Sequence, residues 1–87
     1  MTATEFNEKY SSYKEERHYG CALHNPIAVK FLDWVFKTWT KYPRFKYSQI
    51  KLKFGRCYIY TTTAPADEVS DVENVINNIY SLVKTED

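Results

Sequence analysis

The segment from Tyr47 to Thr63, YSQIKLKFGRCYIYTTT, decides how the chain reads. Its side chains alternate with the period of two that a strand imposes. Ile50, Leu52 and Phe54 fall on one side; Gln49, Lys51 and Lys53 fall on the other. After Gly55-Arg56 the pattern resumes, with Cys57, Ile59 and Thr61 opposed to Tyr58, Tyr60 and Thr62. A two-residue loop with Gly first predicts a type II′ turn, because Gly accepts positive φ without a steric penalty. That turn sets Phe54 against Cys57, Leu52 against Ile59 and Ile50 against Thr61. It also sets Lys53 against Tyr58, Lys51 against Tyr60 and Gln49 against Thr62. A slip of one residue would mix the two faces, so the register is well specified. The expectation is a β-hairpin with one face closing the core and a second, basic and tyrosine-bearing, facing a partner. Lysine stems lying across tyrosine rings also stabilise a sheet with no partner at all.

Downstream, Val72, Val75, Ile76, Ile79, Leu82 and Val83 recur with helical period. Ser70-Asp71-Val72-Glu73 reads as a capping box, and Asp67, Glu68, Asp71 and Glu73 suit a helix N-terminus. This stripe is expected on the Ile50/Leu52/Phe54/Cys57/Ile59 face, with Asn74, Asn77, Asn78 and Ser81 in water and residues 85–87 frayed. Upstream, Asn25-Pro26 opens a helix expected to reach about Tyr42 and to stop at Pro43. Lys30, Asp33, Lys37 and Lys41 form its charged stripe. Ala28, Phe31, Leu32, Val35, Phe36 and Trp39 fill the opposite side, and Ile27 and Trp34 flank the charges. A wheel this apolar is covered on more than one side, and a Trp beside lysines suits an interface anchor. A first helix is expected over about residues 3–17, capped by Thr2 and Glu5. Its stripe of Phe6, Tyr10 and Tyr13 is expected to dock loosely, hydroxyls at the water boundary. Residues 18–24 break the helical period, with Gly20 as the bend.

The order is thus α-α-β-β-α, an α+β class with an antiparallel β-hairpin packed against helices. The chain has 87 residues, read as a single small domain, 1–87. A chain of this size buries only about 60–65% of its unfolded surface. A lone hairpin leaves two open edges. A third strand from residues 18–24, or pairing across a two-fold axis, would remove one; a homodimer is the expectation.

Aromatic residues make up 17% of the chain, which places it among globular proteins. No apolar run has transmembrane length and residues 1–20 are polar, so the expectation is a soluble, cytoplasmic protein with no membrane partner. Two cysteines in that setting read as reduced thiols. The formal net charge of +1 conceals segregation. Residues 34–66 hold seven basic residues and no acid, whereas 67–87 hold six acids and one lysine. Such a block speaks to partners and steering. The acidic end either neutralises the basic middle within one copy, or does so across a dimer.

His18, Cys21 and His24, with Cys57 as a fourth ligand, outline a zinc set, but neither C-x₂-C nor H-x₃₋₅-H spacing is present. No hydrolase, metalloprotease or phosphate-loop motif occurs, and two glycines are too few to build a phosphate cradle. The expectation is therefore no enzyme, no metal and no cofactor. The basic block interleaved with Tyr42, Phe45, Tyr47, Tyr58 and Tyr60 admits single-stranded nucleic acid or a nucleotide as an alternative ligand. Its pI of about 7.7 and the lack of a nucleic-acid-binding signature weigh against that.

Taken together, HYGCALHNP (18–26), FLDWVF (31–36) and YSQIKLKFG (47–55) resemble small uncharacterised proteins of bacteriophages and related mobile elements. The resemblance spans about residues 17–60 and carries no functional motif, so no site residue follows from it. It implies a compact accessory protein; an inhibitor of a host defence or housekeeping factor is one such role. From the residues themselves, the expected function is a non-enzymatic module binding an acidic protein surface. Lys51, Lys53, Arg56, Tyr58 and Tyr60 form the contact face, Arg44 and Lys46 its margin, and Trp34 a secondary anchor.

Overall fold

A computed structural model describes residues 1–83, so the fraying expected at 85–87 lies outside the described residues. The elements are α1 (Ala3–Lys9), a 3₁₀ turn (Ser11–Tyr13), β1 (Gly20–Cys21), α2 (Pro26–Trp39), β2 (Tyr47–Lys53), β3 (Arg56–Thr61) and α3 (Ala66–Val83). The fold is α+β, with three α-helices and a mixed three-stranded sheet in the order β1-β2-β3. β2 and β3 form the antiparallel hairpin, but β1 runs parallel to β2. The element order is therefore α-β-α-β-β-α, a correction to the α-α-β-β-α reading. β1 pairs through only Gly20 and Cys21, too short for alternation to reveal it. Its direction follows from α2, the crossover that parallel strands require.

The hairpin keeps its two faces but not its register. Lys53 pairs with Arg56, Leu52 with Cys57, Lys51 with Tyr58, Ile50 with Ile59 and Gln49 with Tyr60. The loop is Phe54-Gly55, and both residues have left-handed φ, 55° and 77°. Positive φ at both positions is the type I′ geometry, whose twist matches the strands it joins. The pairing moves by one residue on each strand, so the side chains that remain in the ladder keep their faces. The gain is that Ile50 lies against Ile59, both buried, and not against Thr61. The loss is Phe54, which leaves the core face for the tip. A bulge between Tyr47 and Gln49 interrupts the alternation. The extra residue returns Tyr47 to the core side, where it is fully buried.

α1 ends at Lys9, far short of residue 17, because the chain must turn there to reach the sheet. Glu15 N–H donates to the Tyr47 carbonyl at 2.9 Å, fixing the path after the 3₁₀ turn. The Thr2/Glu5 capping box forms as expected. Docking is not loose: Phe6 is wholly buried, 4.8 Å from Phe36 and 5.8 Å from Tyr47, ring centre to ring centre. The Tyr10 hydroxyl is not at the water boundary; it donates to the Asp33 carboxylate at 2.5 Å. Asn25 caps α2 by accepting from Ile27 and Ala28 N–H, and the helix closes at Trp39, before Tyr42. Ala28, Val29, Leu32, Val35, Phe36 and Trp39 are buried. Phe36 reaches the sheet, its ring 5.1 Å from Tyr47 and perpendicular to Phe45.

α3 begins one turn earlier than Ser70, at Ala66, so the expected capping box does not form. Glu73 instead accepts from Ile59 N–H at 2.8 Å, and Asn77 accepts from Cys57 N–H at 2.6 Å. These two side chains, read as N-terminal charge and wet face, occupy the outward donors of β3. Across the sheet, the Asn7 amide does the same for β1. It accepts from Cys21 N–H at 2.8 Å and donates to Cys21 carbonyl at 2.9 Å. Both edges thus have N–H groups met by side chains of the same copy, which lessens the need for a strand-paired dimer. Of the expected α3 stripe, Ile76 is fully buried and Val72 and Ile79 are half-buried, while Val75 and Leu82 are exposed.

Candidate functional site: the open face of the sheet

Helices line one face of the sheet. The other carries Gln49, Lys51, Lys53, Arg56, Tyr58 and Tyr60, none of them buried. Strand alternation assembles the group, and the type I′ turn sets who faces whom. Lys51 lies against Tyr58, both half-buried, with the lysine stem available to the ring. Tyr60 lies against Gln49 and is exposed. Lys53 and Arg56 lie directly opposite each other beside the turn. Like charges in that position repel, and both side chains are exposed. Lys53 Nζ sits 5.6 Å from the centre of the Phe54 ring.

Among the described residues the only ion pair is Lys9–Asp33, at 2.9 Å. No basic residue of the sheet face has an ion-paired carboxylate within those bounds. The sheet face is therefore a strip of uncompensated positive charge with two tyrosines and a phenylalanine tip. Phe54 is 89% exposed. Sequence alternation placed it in the core; the signal that it sits in the turn is the Gly that follows, since type I′ loops take Gly second.

The remaining expected residues scatter. Lys46 is tied down, its ammonium donating to the Ser12 carbonyl at 3.0 Å. It lines a 360 Å³ cleft with Ser48, Tyr60 and Glu73, between β3 and the start of α3. Glu73 is engaged with the β3 edge there, and Glu15 lines the same cleft beside Lys46. Arg44 is exposed, with a left-handed φ of 61°, and its carbonyl accepts from the Thr62 hydroxyl at 3.1 Å. Trp34 is on α2 beside α3, with the helix layer between it and the open face. Of the five aromatics interleaved in the basic block, Phe45 and Tyr47 are core residues. Tyr42 turns to Glu68, donating at 3.3 Å. Burial first, then the Glu68 charge, raises the Tyr42 phenol above its ordinary range.

The thiols are unsuited to nucleophilic work. Burial pushes Cys21 up to about 11, and burial followed by the charge of Glu73 pushes Cys57 up to about 12. Both remain protonated at neutral pH, and the thiolate is the reactive form. His18 and His24 are exposed while Cys21 and Cys57 are buried, so the four do not converge. No three His, Cys, Asp or Glu side chains gather as a metal set among the described residues. Among the same residues no helix is long and apolar enough to cross a membrane.

Fold and site together describe a small α+β scaffold with a helix-covered core and an exposed basic sheet face. No protein-family model, curated protein or solved structure matches the chain.

Proposed function

We propose that the chain is a non-enzymatic binding module that holds an acidic protein surface against the open face of its sheet. Lys51, Lys53 and Arg56 supply the charge, and Tyr58, Tyr60 and Phe54 supply the contact area. One observation carries this reading: Lys53 and Arg56 are paired across the strands with no carboxylate between them. An anionic group seated there relieves a repulsion already present in the free protein. Long-range attraction sets the association rate, and burial of the aromatic rings sets the residence time. With the resemblance noted above, the role is that of a phage-type accessory protein blocking a host factor. Single-stranded nucleic acid on the same face is the competing reading. Its case is weaker by three aromatics, since Phe45 and Tyr47 are in the core and Tyr42 turns to Glu68.

The test is affinity capture from nuclease-treated extract, comparing the native chain with the Lys53→Glu/Tyr60→Ala variant. The expected result is a protein retained by the native chain and lost by the variant. Binding that disappears with nuclease treatment, and that falls steeply with salt on an oligonucleotide, assigns the face to nucleic acid. Equal capture by both chains removes the site.

A further inference from the structure

The structure leaves a second surface unexplained, on the outer side of α2 and α3. The two helices run antiparallel. Asn25 N–H donates to the Tyr80 hydroxyl at 3.0 Å near one end, and Trp39 Nε1 donates to Glu68 at 3.2 Å near the other. Between them lies a groove of about 230 Å³ lined by Trp34, Val35 and Val72, with Glu68 and Asp71 on its α3 side. Ile27 and Trp34 rise from α2, 62% and 67% exposed, and Val75 and Leu82 from α3, 40% and 84% exposed. Phe31 stacks on Trp34 at 6.0 Å. These side chains form an exposed apolar patch on the flank where the helices meet.

The flanking charges state what covers it. The outer margin of α2 carries Lys30 and Lys37 beside Asp33, which Lys9 holds, and the outer side of α3 carries Asp67 and Asp71, the latter at the groove. Within one copy these margins do not pair among the described residues, where Lys9–Asp33 is the only ion pair. The Trp39–Glu68 bond puts Lys37 and Asp71 at nearly the same height along the helix pair. A two-fold axis lying in the surface, parallel to the helices, lays α2 of one protomer on α3 of the other. Lys37 then faces Asp71 of the partner subunit, and symmetry repeats the pair. A purely acidic or purely basic partner would match one margin and be repelled by the other. We infer that this face is the contact surface of a homodimer, with Trp34 at its centre and Lys37 pairing with Asp71 of the partner subunit. It is independent of the sheet face, which it leaves open in both protomers.

Sedimentation velocity on the full chain, from about 1 to 500 μM, tests this, since a modest interface gives a micromolar constant. The expected result is a reversible monomer–dimer equilibrium. Trp34→Ser, at an exposed position that the fold tolerates, raises the dissociation constant at least about tenfold. Lys37→Glu and Asp71→Lys each weaken the dimer, and combining them restores it. Far-UV circular dichroism checks that each variant is folded. A monomer throughout the range overturns the inference. So does a dimer indifferent to Trp34→Ser, or a double charge variant no better than the singles.

Discussion

Phe54 holds a backbone conformation that costs an L-residue roughly 1–2 kcal/mol, and its exposed ring recovers none of this by burial. Phe54→Asn makes the loop Asn-Gly, the preferred type I′ pair. The expected outcome is a gain of about 0.5–1 kcal/mol in urea denaturation, with weaker partner binding. A loss of stability would mean that the ring serves the fold. The two glycines separate strain from crowding. Gly20 and Gly55 have φ of 75° and 77°. A Cβ on Gly20 would meet Asn7 Oδ1 at 2.6 Å, whereas one on Gly55 meets nothing within 4 Å. Gly55→Ala should cost about 1–2 kcal/mol of strain. Gly20→Ala should cost about 2–5 kcal/mol, because it also drives the Asn7 amide off the Cys21 peptide groups. Equal costs by chemical denaturation would show that the Asn7 contact adds nothing.

At the scale of elements, the clearest device is α3 used as a cover for the edge of β3. Asn77→Ala leaves the part-buried Cys57 N–H without an acceptor and should cost about 1–3 kcal/mol. Glu73→Gln retains an acceptor for Ile59 N–H, so its cost should stay below about 1 kcal/mol. Urea midpoints of the two variants check the difference, and light scattering during unfolding checks whether the uncovered edge self-associates. Neither role was legible from helical period. A polar side chain on a wheel reads as solvent-facing, and only its neighbour reveals a strand edge in place of water. α1 shows the converse error. Phe6, Tyr10 and Tyr13 fit one helical stripe, yet the chain leaves the helix after Lys9 and still buries Phe6 and Tyr10.

At the scale of the whole molecule, stability should form a plateau bounded by groups that the fold keeps in one protonation state. Cys21, Cys57 and Tyr47 are raised by burial, to about 11, 12 and 12. Their contribution is intact below the ordinary thiol value of 9.0 and is lost as pH climbs through those raised values. Burial alone would raise Asp33 too, but bonds from Lys9 and Tyr10 outweigh it and hold the carboxyl below its ordinary 3.8. That contribution is present above 3.8 and is lost as pH falls through the lowered value. Urea midpoints across pH should trace both limbs, and Asp33→Asn should flatten the acid one. A thiol reagent should label neither cysteine in the native protein at neutral pH and both once it is unfolded. Rapid native labelling would show that the Cys21–Cys57 layer opens readily.

Residue types and their spacing determined the α+β class, the caps at Thr2 and Asn25, and the segregation of Lys51, Lys53, Tyr58 and Tyr60 from Ile50, Cys57 and Ile59. Those features depend on side-chain period and on groups only a few residues apart, so they are written locally. Tertiary structure decided the turn, the bulge that buries Tyr47, the parallel strand β1 and the polar side chains that meet both sheet edges. Each of these is chosen by partners distant in sequence. The alternation of a hairpin survives a paired one-residue shift on both strands unchanged, and no local pattern distinguishes an amide facing water from one facing an unpaired strand.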